Sequence, residues 1–240
     1  MILFISDLHL SPRSPGATAL FLRILAGRAR QAEALYILGD LFEVWVGDDA
    51  ALPGSFEAQC ADVLRAGAAQ RAVLFMHGNR DFLVGPAFLR PCATALLDDP
   101  TVLTFGGRRW LLTHGDALCL ADTDYMAFRA QVRGAAWQQD FLARPLAERQ
   151  AVARGLRDAS EQRKRSGAEY ADLDADATRA WLDAARAPVM VHGHTHQPAV
   201  HDLGHGRSRV VLSDWDAGAT PQRLEVLRLD AGGLQRIPLH

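Results

Sequence analysis

Short apolar runs alternate with helix-period segments in the first half of the chain. Three runs have the length and composition of buried strands, and they comprise residues 2–6, 34–38 and 72–76. Between them, residues 20–25 carry apolar side chains at helical spacing, and Ser55 is a favoured N-cap for a second helix. This β-α-β-α-β order predicts parallel strands whose carboxyl ends share one edge of a sheet, where open α/β sheets place their sites.

The pattern changes after residue 100. A Gly-Gly pair at 106–107 separates two β-rich runs and predicts a hairpin. Residues 122–186 lack a strand pattern and are rich in Ala, Arg, Gln and Glu, so we predict helices there, with Pro145 interrupting or opening one of them. Short strands then resume at 189–191, 199–203, 208–212, 223–228 and 234–237. The shortness of the last four and the glycines between them favour an antiparallel second sheet.

Side chains able to bind metal ions follow the ends of several apolar runs. There are seven of them: Asp7, His9, Asp40, Asn79, His114, His192 and His194. Carboxylates, an amide and imidazoles together form a mixed nitrogen and oxygen shell, which suits Mn²⁺, Fe²⁺ or Zn²⁺ better than Ca²⁺. Asp40 is the natural bridge between two cations about 4 Å apart, the spacing of two-metal phosphoryl sites. A single Asp or His after a strand is more often a cap or turn residue, so the hypothesis depends on the joint pattern.

Composition and charge narrow the class of protein. The formal net charge of −2 gives no field that favours nucleic acid, so we expect no nucleic-acid partner. Three scattered cysteines indicate reduced thiols in a cytosol rather than a disulfide framework. The apolar run at residues 2–5 is too short for a signal peptide, and no stretch approaches the roughly 18 apolar residues of a membrane span. We therefore expect a cytoplasmic protein that lies on a membrane if it meets one.

The order of the candidate ligands resembles that of the calcineurin-like metallophosphoesterases. Five strings between residues 4 and 196 carry the resemblance: Asp-x-His, Gly-Asp, Gly-Asn-Arg-Asp, His-Gly-Asp and His-Gly-His-Thr-His. The resemblance implies two ligand sets that share Asp40, namely Asp7, His9 and His194 for one cation and Asn79, His114 and His192 for the other. It also implies that a hydroxide held by the cations attacks phosphorus in line, without a covalent phospho-enzyme. The predicted catalytic residues are Asp40, Asn79, Arg80 and His114.

One branch of the family is more similar than the others. Arg80 stands where many members have His, and a guanidinium can clamp two phosphate oxygens but cannot donate a proton at pH 7. Residues 39–49, 78–82 and 192–201 resemble the branch that hydrolyses UDP-2,3-diacylglucosamine in lipid A biosynthesis. This resemblance implies a pyrophosphatase with two Mn²⁺ ions per chain. Attack at the α-phosphorus would release UMP and 2,3-diacylglucosamine 1-phosphate.

These observations predict an α/β fold: a two-sheet metallophosphoesterase sandwich flanked by helices, with an inserted helical cap. Because residues 122–186 separate His114 from His192, this segment must leave the site and return to it. We therefore predict a core of residues 1–121 and 187–240 and a cap insertion at 122–186. At 240 residues the chain can bury a sizeable core.

The predicted cap carries the remaining substrate contacts. By resemblance, the glucosamine phosphate is bound by Asp122, Ser160 and Lys164 together with Asn79, Arg80 and His192. Lys164 is the only lysine in the chain, and Arg163 or Arg165 could replace a second family lysine that is absent near Gly167. Apolar side chains near helical spacing could line an acyl groove, and these are Tyr125, Phe128, Val132, Trp137, Phe141 and Leu142. Two plainer interpretations stay open: a solvated basic helix face, and packing of the cap on the core.

Two other functions are compatible with the same fold. A cyclic-nucleotide phosphodiesterase or dinucleoside polyphosphate hydrolase would keep the ligands but have no use for an apolar cap. A metal-free scaffold of the same fold would be expected to have lost ligands. We expect the inner membrane's cytoplasmic face as a partner surface, and no obligate protein partner. Asp81 and Asp116 are expected to orient ligands. No metal role is assigned to His77, His196, His201, His205 and His240, although His196 is expected near the site, supporting a ligand at most.

Overall fold

The computed structural model describes residues 1–26, 31–165, 171–216 and 218–239, with the backbone alone described at 22, 24, 26, 158–161 and 163–165. Its helices are α1 Pro15–Ala26, α2 Phe56–Ala68, α3 Pro86–Leu89, α4 Thr123–Val132, α5 Ala135–Leu142, α6 Leu146–Arg165 and α7 Ala175–Ala185. Its strands are β1 Ile2–Ile5, β2 Ala34–Leu38, β3 Ala72–Met76, β4 Thr94–Leu97, β5 Thr101–Phe105, β6 Arg108–Leu112, β7 Val189–His192, β8 Val200–Gly204, β9 Arg207–Val211, β10 Glu225–Asp230 and β11 Gly233–Pro238. The predicted α/β class, with two sheets flanked by helices, is confirmed.

The first sheet has six strands in the order β11-β10-β1-β2-β3-β4. The strands β1 to β4 are parallel, and for β1 to β3 the alternation of strands and helices predicted this. Those three strands were located within one residue, whereas α3 and β4 were not predicted. The N-cap prediction is also confirmed, since Ser55 Oγ accepts a hydrogen bond from Ala58 N at 3.1 Å.

The second sheet has five strands in the order β5-β6-β7-β9-β8, and its pairing corrects one prediction. We expected the four short strands after β7 to form an antiparallel second sheet. That expectation was wrong in two ways: β9 is parallel to β7, which is itself parallel to β6, and β10 and β11 join the first sheet beside β1. Parallel pairing requires a long crossover, and the helical segment between β6 and β7 provides it. β10 has apolar side chains on both faces, which suits an inner position next to β1.

Three apolar clusters hold the layers together. Between the sheets, Phe4, Leu38 and Met76 meet side chains of β6, β7 and β9, and each such fully buried side chain contributes about 1.5–3 kcal/mol. α1, α2 and α5 pack on the other face of the first sheet. On the outer face of the second sheet, Leu182 of α7 meets Leu111 and Met190. The three cysteines are free and buried within these layers.

The helices between β6 and β7 begin and end where local chemistry allows. Pro145 directly precedes α6, and its carbonyl accepts hydrogen bonds from the Glu148 and Arg149 amides, so it opens a helix rather than interrupting one. α7 packs on the second sheet, so the last helix of the predicted cap insertion is shared with the core. The division into core and cap stays a prediction. None of the helices that the structure describes is long and apolar enough to span a bilayer.

Candidate active site

Candidate ligands from both sheets meet at the carboxyl ends of parallel strands. Asp7 follows β1, Asp40 follows β2 and Asn79 follows β3, while His114 follows β6 and His192 ends β7. Backbone hydrogen bonds tie neighbouring loops, from Asp7 N to Gly39 O at 3.1 Å and from Gly193 N to His114 O at 3.0 Å. The first sheet is joined to the second where the His114 Nδ1 lies 2.9 Å from Leu38 O. The site is therefore formed by both sheets.

Asp40 lies in the centre of the candidate ligands. Its carboxylate is buried, and its oxygens lie 3.9 Å from His9 Nε2 and 3.8 Å from His114 Nε2. The amide of Arg80 donates to Asp40 Oδ1 at 2.8 Å, which fixes the orientation of the carboxylate. Gly39 precedes it with a φ of 88°, and a Cβ there would collide with the His114 ring, so only glycine fits. This central position suits the predicted bridge between two cations.

Asp7 is the most tightly surrounded carboxylate of the site. It accepts hydrogen bonds from Ser6 Oγ at 2.5 Å and from the His194 amide at 3.0 Å. Burial alone would raise the pKa of Asp7, but the nearby histidines, His196 first among them, hold it well below its ordinary value. Asp7 therefore remains ionised and able to bind a cation.

Histidines of the second sheet surround the amide of Asn79. Its Oδ1 lies 3.0 Å from His114 Nε2 and 2.9 Å from His194 Nδ1. Burial lowers the pKa of His194 to about 4, whereas the carboxylates, Asp40 first among them, overcome burial and raise the pKa of His114 to about 9. A cation would displace the proton from His114, because metal-bound imidazole is neutral.

His192 stands apart from the other predicted ligands. Its Nδ1 lies 2.8 Å from Gly193 O, and its Nε2 lies 3.3 Å from Arg209 Nη1. Arg209 is in turn paired with Asp172. Burial lowers the pKa of His192 to about 3, so the ring is neutral. Both ring nitrogens have partners in this arrangement, and metal binding through His192 would require one of them to be exchanged.

His196 was expected near the site without a metal role, and the structure brings it into direct contact with two predicted ligands. Its Nε2 lies 3.3 Å from Asp7 Oδ1 and 3.2 Å from His9 Nε2, and its Nδ1 lies 3.7 Å from Asp214 Oδ2. Asp7, His9 and His196 form one group of atoms close enough to hold a cation, and Asp7, Asp40 and His114 form another. The signal in the sequence was its place two residues after His194 in one short string, although the backbone there is not extended, since His194 and His196 have φ values of 69° and 54°.

Two further aspartates hold the loops around the ligands, as expected. Asp81 accepts hydrogen bonds from the backbone amides of Asp40, Leu41, Phe42 and Gly78. Burial and the charge of Asp40 raise the pKa of Asp81 to about 7. Asp116 accepts from Tyr125 Oη at 2.6 Å and Arg129 Nε at 2.7 Å, so it anchors α4 beside the site.

Glu43 and Arg157 connect a helix to a candidate ligand. Glu43 Oε2 lies 3.1 Å from His9 Nδ1, and Glu43 Oε1 lies 3.3 Å from Arg157 Nε on α6. Burial would raise the pKa of Glu43, but His9, Arg80 and Arg157 together lower it. The sequence did not single out either residue of this pair for a role at the site.

The predicted substrate contacts fall into three groups. Asp122 caps α4 by accepting from the Tyr125 amide at 3.1 Å, and the Tyr125 hydroxyl is bonded to Asp116, so both have structural partners. Phe128 is half-buried, whereas Phe141 is 5 % exposed and stacks on Trp137 within the core cluster. The backbone of α6 includes Ser160, Arg163 and Lys164, whose side chains lie outside the described residues, as does Gly167. Their substrate roles stay predictions.

The donor set fits divalent cations. Carboxylate, amide and imidazole groups converge at the buried strand ends, and the imidazoles of His192 and His194 are neutral there. Such mixed oxygen and nitrogen donors are typical of Mn²⁺, Fe²⁺ and Zn²⁺ sites.

Comparisons with known proteins agree with this geometry. The family model described as Calcineurin-like phosphoesterase matches residues 1–198. The UDP-2,3-diacylglucosamine hydrolase of Chromobacterium violaceum is 47% identical over 98% of this chain and 98% of the relative. The proteins of the same name from Pseudomonas putida (strain W619) and Stenotrophomonas maltophilia are 45% and 44% identical, covering 99% and 96% of this chain and 98% and 95% of the relatives.

A solved structure shows the same fold at low sequence identity. An archaeal phosphodiesterase superposes with a TM-score of 0.51 at 13% identity, covering 99% of each chain. At that identity the likeness concerns the architecture of the two sheets.

Proposed function

Since this chain belongs to the calcineurin-like phosphoesterase family, in which it is a hydrolase, we propose that its substrate is UDP-2,3-diacylglucosamine. In this proposal it cleaves the pyrophosphate with two Mn²⁺ ions and releases UMP and 2,3-diacylglucosamine 1-phosphate, a step of lipid A biosynthesis. The observation that carries the proposal is the near-complete coverage of relatives that bear the name UDP-2,3-diacylglucosamine hydrolase.

The convergent donors of the site support the two-cation part of the proposal. Asp40 would be shared, with Asp7, His9 and His194 on one side and Asn79, His114 and His192 on the other. The bound cations would supply positive charge for the phosphate oxygens and would activate a water for attack at the α-phosphorus. Loss of the charge on Asp40 would leave two close cations without their common counter-charge, which is why we place it at the centre of catalysis.

The chain's own residues would orient the pyrophosphate. Two hydrogen bonds fix the backbone of Arg80. Its amide donates to Asp40, and its carbonyl accepts from the Trp45 amide at 3.1 Å. The side chain of Arg80 therefore leaves the backbone next to the candidate metal ligands, from where its guanidinium can hold two phosphate oxygens. His114 Nδ1 is held by Leu38 O, which directs Nε2 towards Asp40 and Asn79.

We propose that the helical cap at residues 122–186 binds the rest of the substrate. Asp122, Ser160, Arg163 and Lys164 would contact the sugar phosphate, and Tyr125, Phe128 and Phe141 would contribute to the acyl groove. Attachment of α4 to the site through Asp116 supports a cap that lies next to the cations.

We also propose peripheral association with the cytoplasmic face of the inner membrane. Val152 and Leu156 are exposed and four residues apart on α6, so they share one face of the helix, and Leu142 on α5 is exposed as well. Exposed apolar side chains of this kind suit a surface that meets lipid. The two acyl chains of the substrate would reach the site from that side.

Product analysis tests the proposed reaction. Purified protein would be loaded with Mn²⁺ and incubated with UDP-2,3-diacylglucosamine in ¹⁸O-water. We expect UMP that carries the label and unlabelled 2,3-diacylglucosamine 1-phosphate. Label in the sugar phosphate would mean attack at the other phosphorus. No turnover of this substrate, with turnover of a cyclic nucleotide or a dinucleoside polyphosphate, would replace the proposal with the sibling activity.

A further inference from the structure

His9 is a candidate ligand that presents its two nitrogens to different surroundings. Its Nε2 faces the site, 3.9 Å from Asp40 Oδ2. Its Nδ1 is buried, lacks a hydrogen-bond partner among the described residues, and lies 3.1 Å from Glu43 Oε2. The Glu43 contact is short but not aligned as a hydrogen bond, so a small rotation of either side chain would complete it.

Glu43 lies where a carboxylate would orient His9 towards the candidate cation site. A metal-binding histidine usually donates its second N–H to a carboxylate or carbonyl, which fixes the tautomer and raises the basicity of the metal-binding nitrogen. Glu43 is half-buried and occupies that place for His9. With the proton held on Nδ1, the lone pair of Nε2 is directed at the cation.

Arg157 brings α6 into the same arrangement. Arg149, Ala153 and Arg157 recur every four residues on the face of α6 that turns to the core. Arg149 is buried and pairs with Asp49, while Ala153 packs on the apolar cluster of the first sheet. These contacts fix the helix, so that Arg157 Nε is held 3.3 Å from Glu43 Oε1. Glu43 thus lies between a helix of the predicted cap and a ligand of the site.

We propose that Glu43 is a positioning residue for His9 and that Arg157 couples the position of α6 to this ligand. The proposal rests on the proposed function, because it requires a cation at His9. Glu43 does not touch the substrate in this account; it acts through the imidazole. Displacement of α6 would release one oxygen of Glu43 and thereby loosen the ligand.

Binding of Mn²⁺ itself measures this coupling without reference to turnover. Metal-free protein would be titrated with Mn²⁺, and the free ion would be followed by its electron paramagnetic resonance signal. The proteins are the wild type, Glu43→Ala, Glu43→Gln, Arg157→Gln and the Glu43→Ala, Arg157→Gln double variant. Arg154→Gln, an exposed arginine on the same helix, is the matched control. Thermal melts in chelator verify the fold of each protein.

We expect Glu43→Ala to weaken one of the two Mn²⁺ sites about ten- to a hundredfold, the effect typical of removing such a partner. Glu43→Gln should lose less, because its amide oxygen still accepts from Nδ1, and Arg157→Gln should lose less again. The double variant should match Glu43→Ala, since Arg157 has nothing to act on once Glu43 is gone. The control should bind as the wild type does.

Three outcomes separate the possible errors. If Glu43→Ala folds and binds Mn²⁺ with wild-type affinity, the positioning role is overturned. If Glu43→Ala does not fold, wild-type Mn²⁺ affinity in Glu43→Gln overturns the role instead. An additional loss in the double variant equal to that of Arg157→Gln alone overturns the coupling. Failure of the wild type to bind two Mn²⁺ ions rejects the proposed function instead, and is distinguishable because it needs no variant.

Discussion

The strand-end site and the helices between β6 and β7 differ in what fixes their side chains. At the strand ends, short loops with glycines hold each candidate ligand against a neighbouring strand, as Gly39 does between Asp40 and His114. In the helices, the direction of each side chain depends on packing with distant residues. Tyr125 turns to Asp116 and Phe141 turns into the core cluster, although both belong to one apolar stripe in the sequence. Motif residues therefore predict geometry better than helical periodicity does.

The largest expected effect is at the centre of the strand-end site. Asp40→Asn keeps the shape of the side chain but removes the charge shared by two cations. Leaving charges unpaired in a buried site costs about 3–5 kcal/mol, which corresponds to a loss of roughly 10²- to 10³-fold or more in affinity and turnover. Metal content by mass spectrometry and Mn²⁺-dependent turnover should fall together. Near-normal activity with a normal metal count would refute the shared-ligand assignment.

In the helices, Phe141→Ala should lower stability in addition to any loss of acyl-chain binding, because Phe141 also packs in the core cluster. Phe141 is 5 % exposed and stacks on Trp137 with ring centroids 4.8 Å apart. Truncation of a buried phenylalanine costs about 3–5 kcal/mol of unfolding free energy. Urea unfolding of the metal-free protein measures this loss, and Leu156→Ala, an exposed apolar change on α6, is the control. A stable Phe141→Ala protein with a selective loss on the diacylated substrate would support the acyl-groove role instead.

Tyr125→Phe tests the bond that anchors α4 to the site. A hydrogen bond to a charged group contributes about 1.5–3 kcal/mol, so unfolding of the metal-free variant should need correspondingly less urea at pH 7. His114, Arg129 and His194 hold the pKa of Asp116 below its ordinary value despite burial, so this ionised acceptor of the Tyr125 hydroxyl stabilises the fold above an unfolded pKa of about 3.9. The difference between the two proteins should therefore shrink as the pH falls below that value. A difference that grows in acid would contradict the assigned contact.

Phe128→Ala should have the smallest effect on the fold and a selective effect on the substrate. Phe128 is half-buried, so less packing is lost than at Phe141. If it contacts an acyl chain, burial of even two methylenes at about 0.8 kcal/mol each corresponds to roughly a tenfold change in kcat/KM. Hydrolysis of a small aryl phosphodiester should be unchanged. Equal losses on both substrates would assign Phe128 to packing.

Much of the fold followed from local pattern, and the exceptions have a common cause. Buried strands such as 34–38 are continuous apolar runs, and their parallel order follows from the helices between them. The sheet that a strand joins is a tertiary property, which is why β10 was placed wrongly. β4 was missed because it is an edge strand with exposed positions, and α3 because it has only four residues.

The candidate site shows the same division. The seven predicted ligands came from strings at strand ends, and most of them converge as expected. His196 was given no metal role and Glu43 no role at all, because their contacts form across the fold, 3.3 Å to Asp7 and 3.1 Å to His9. Helical periodicity predicted the apolar face of the predicted cap. It did not predict which of those side chains would turn towards the core.

The positions of bound metal ions test directly whether two cations share Asp40. Crystals grown with Mn²⁺ would be measured at the manganese absorption edge, where anomalous scattering locates each ion. We predict two peaks about 4 Å apart, with the Asp40 carboxylate between them and His9 and His114 on opposite sides. A single peak, or two peaks of which only one contacts Asp40, would contradict it.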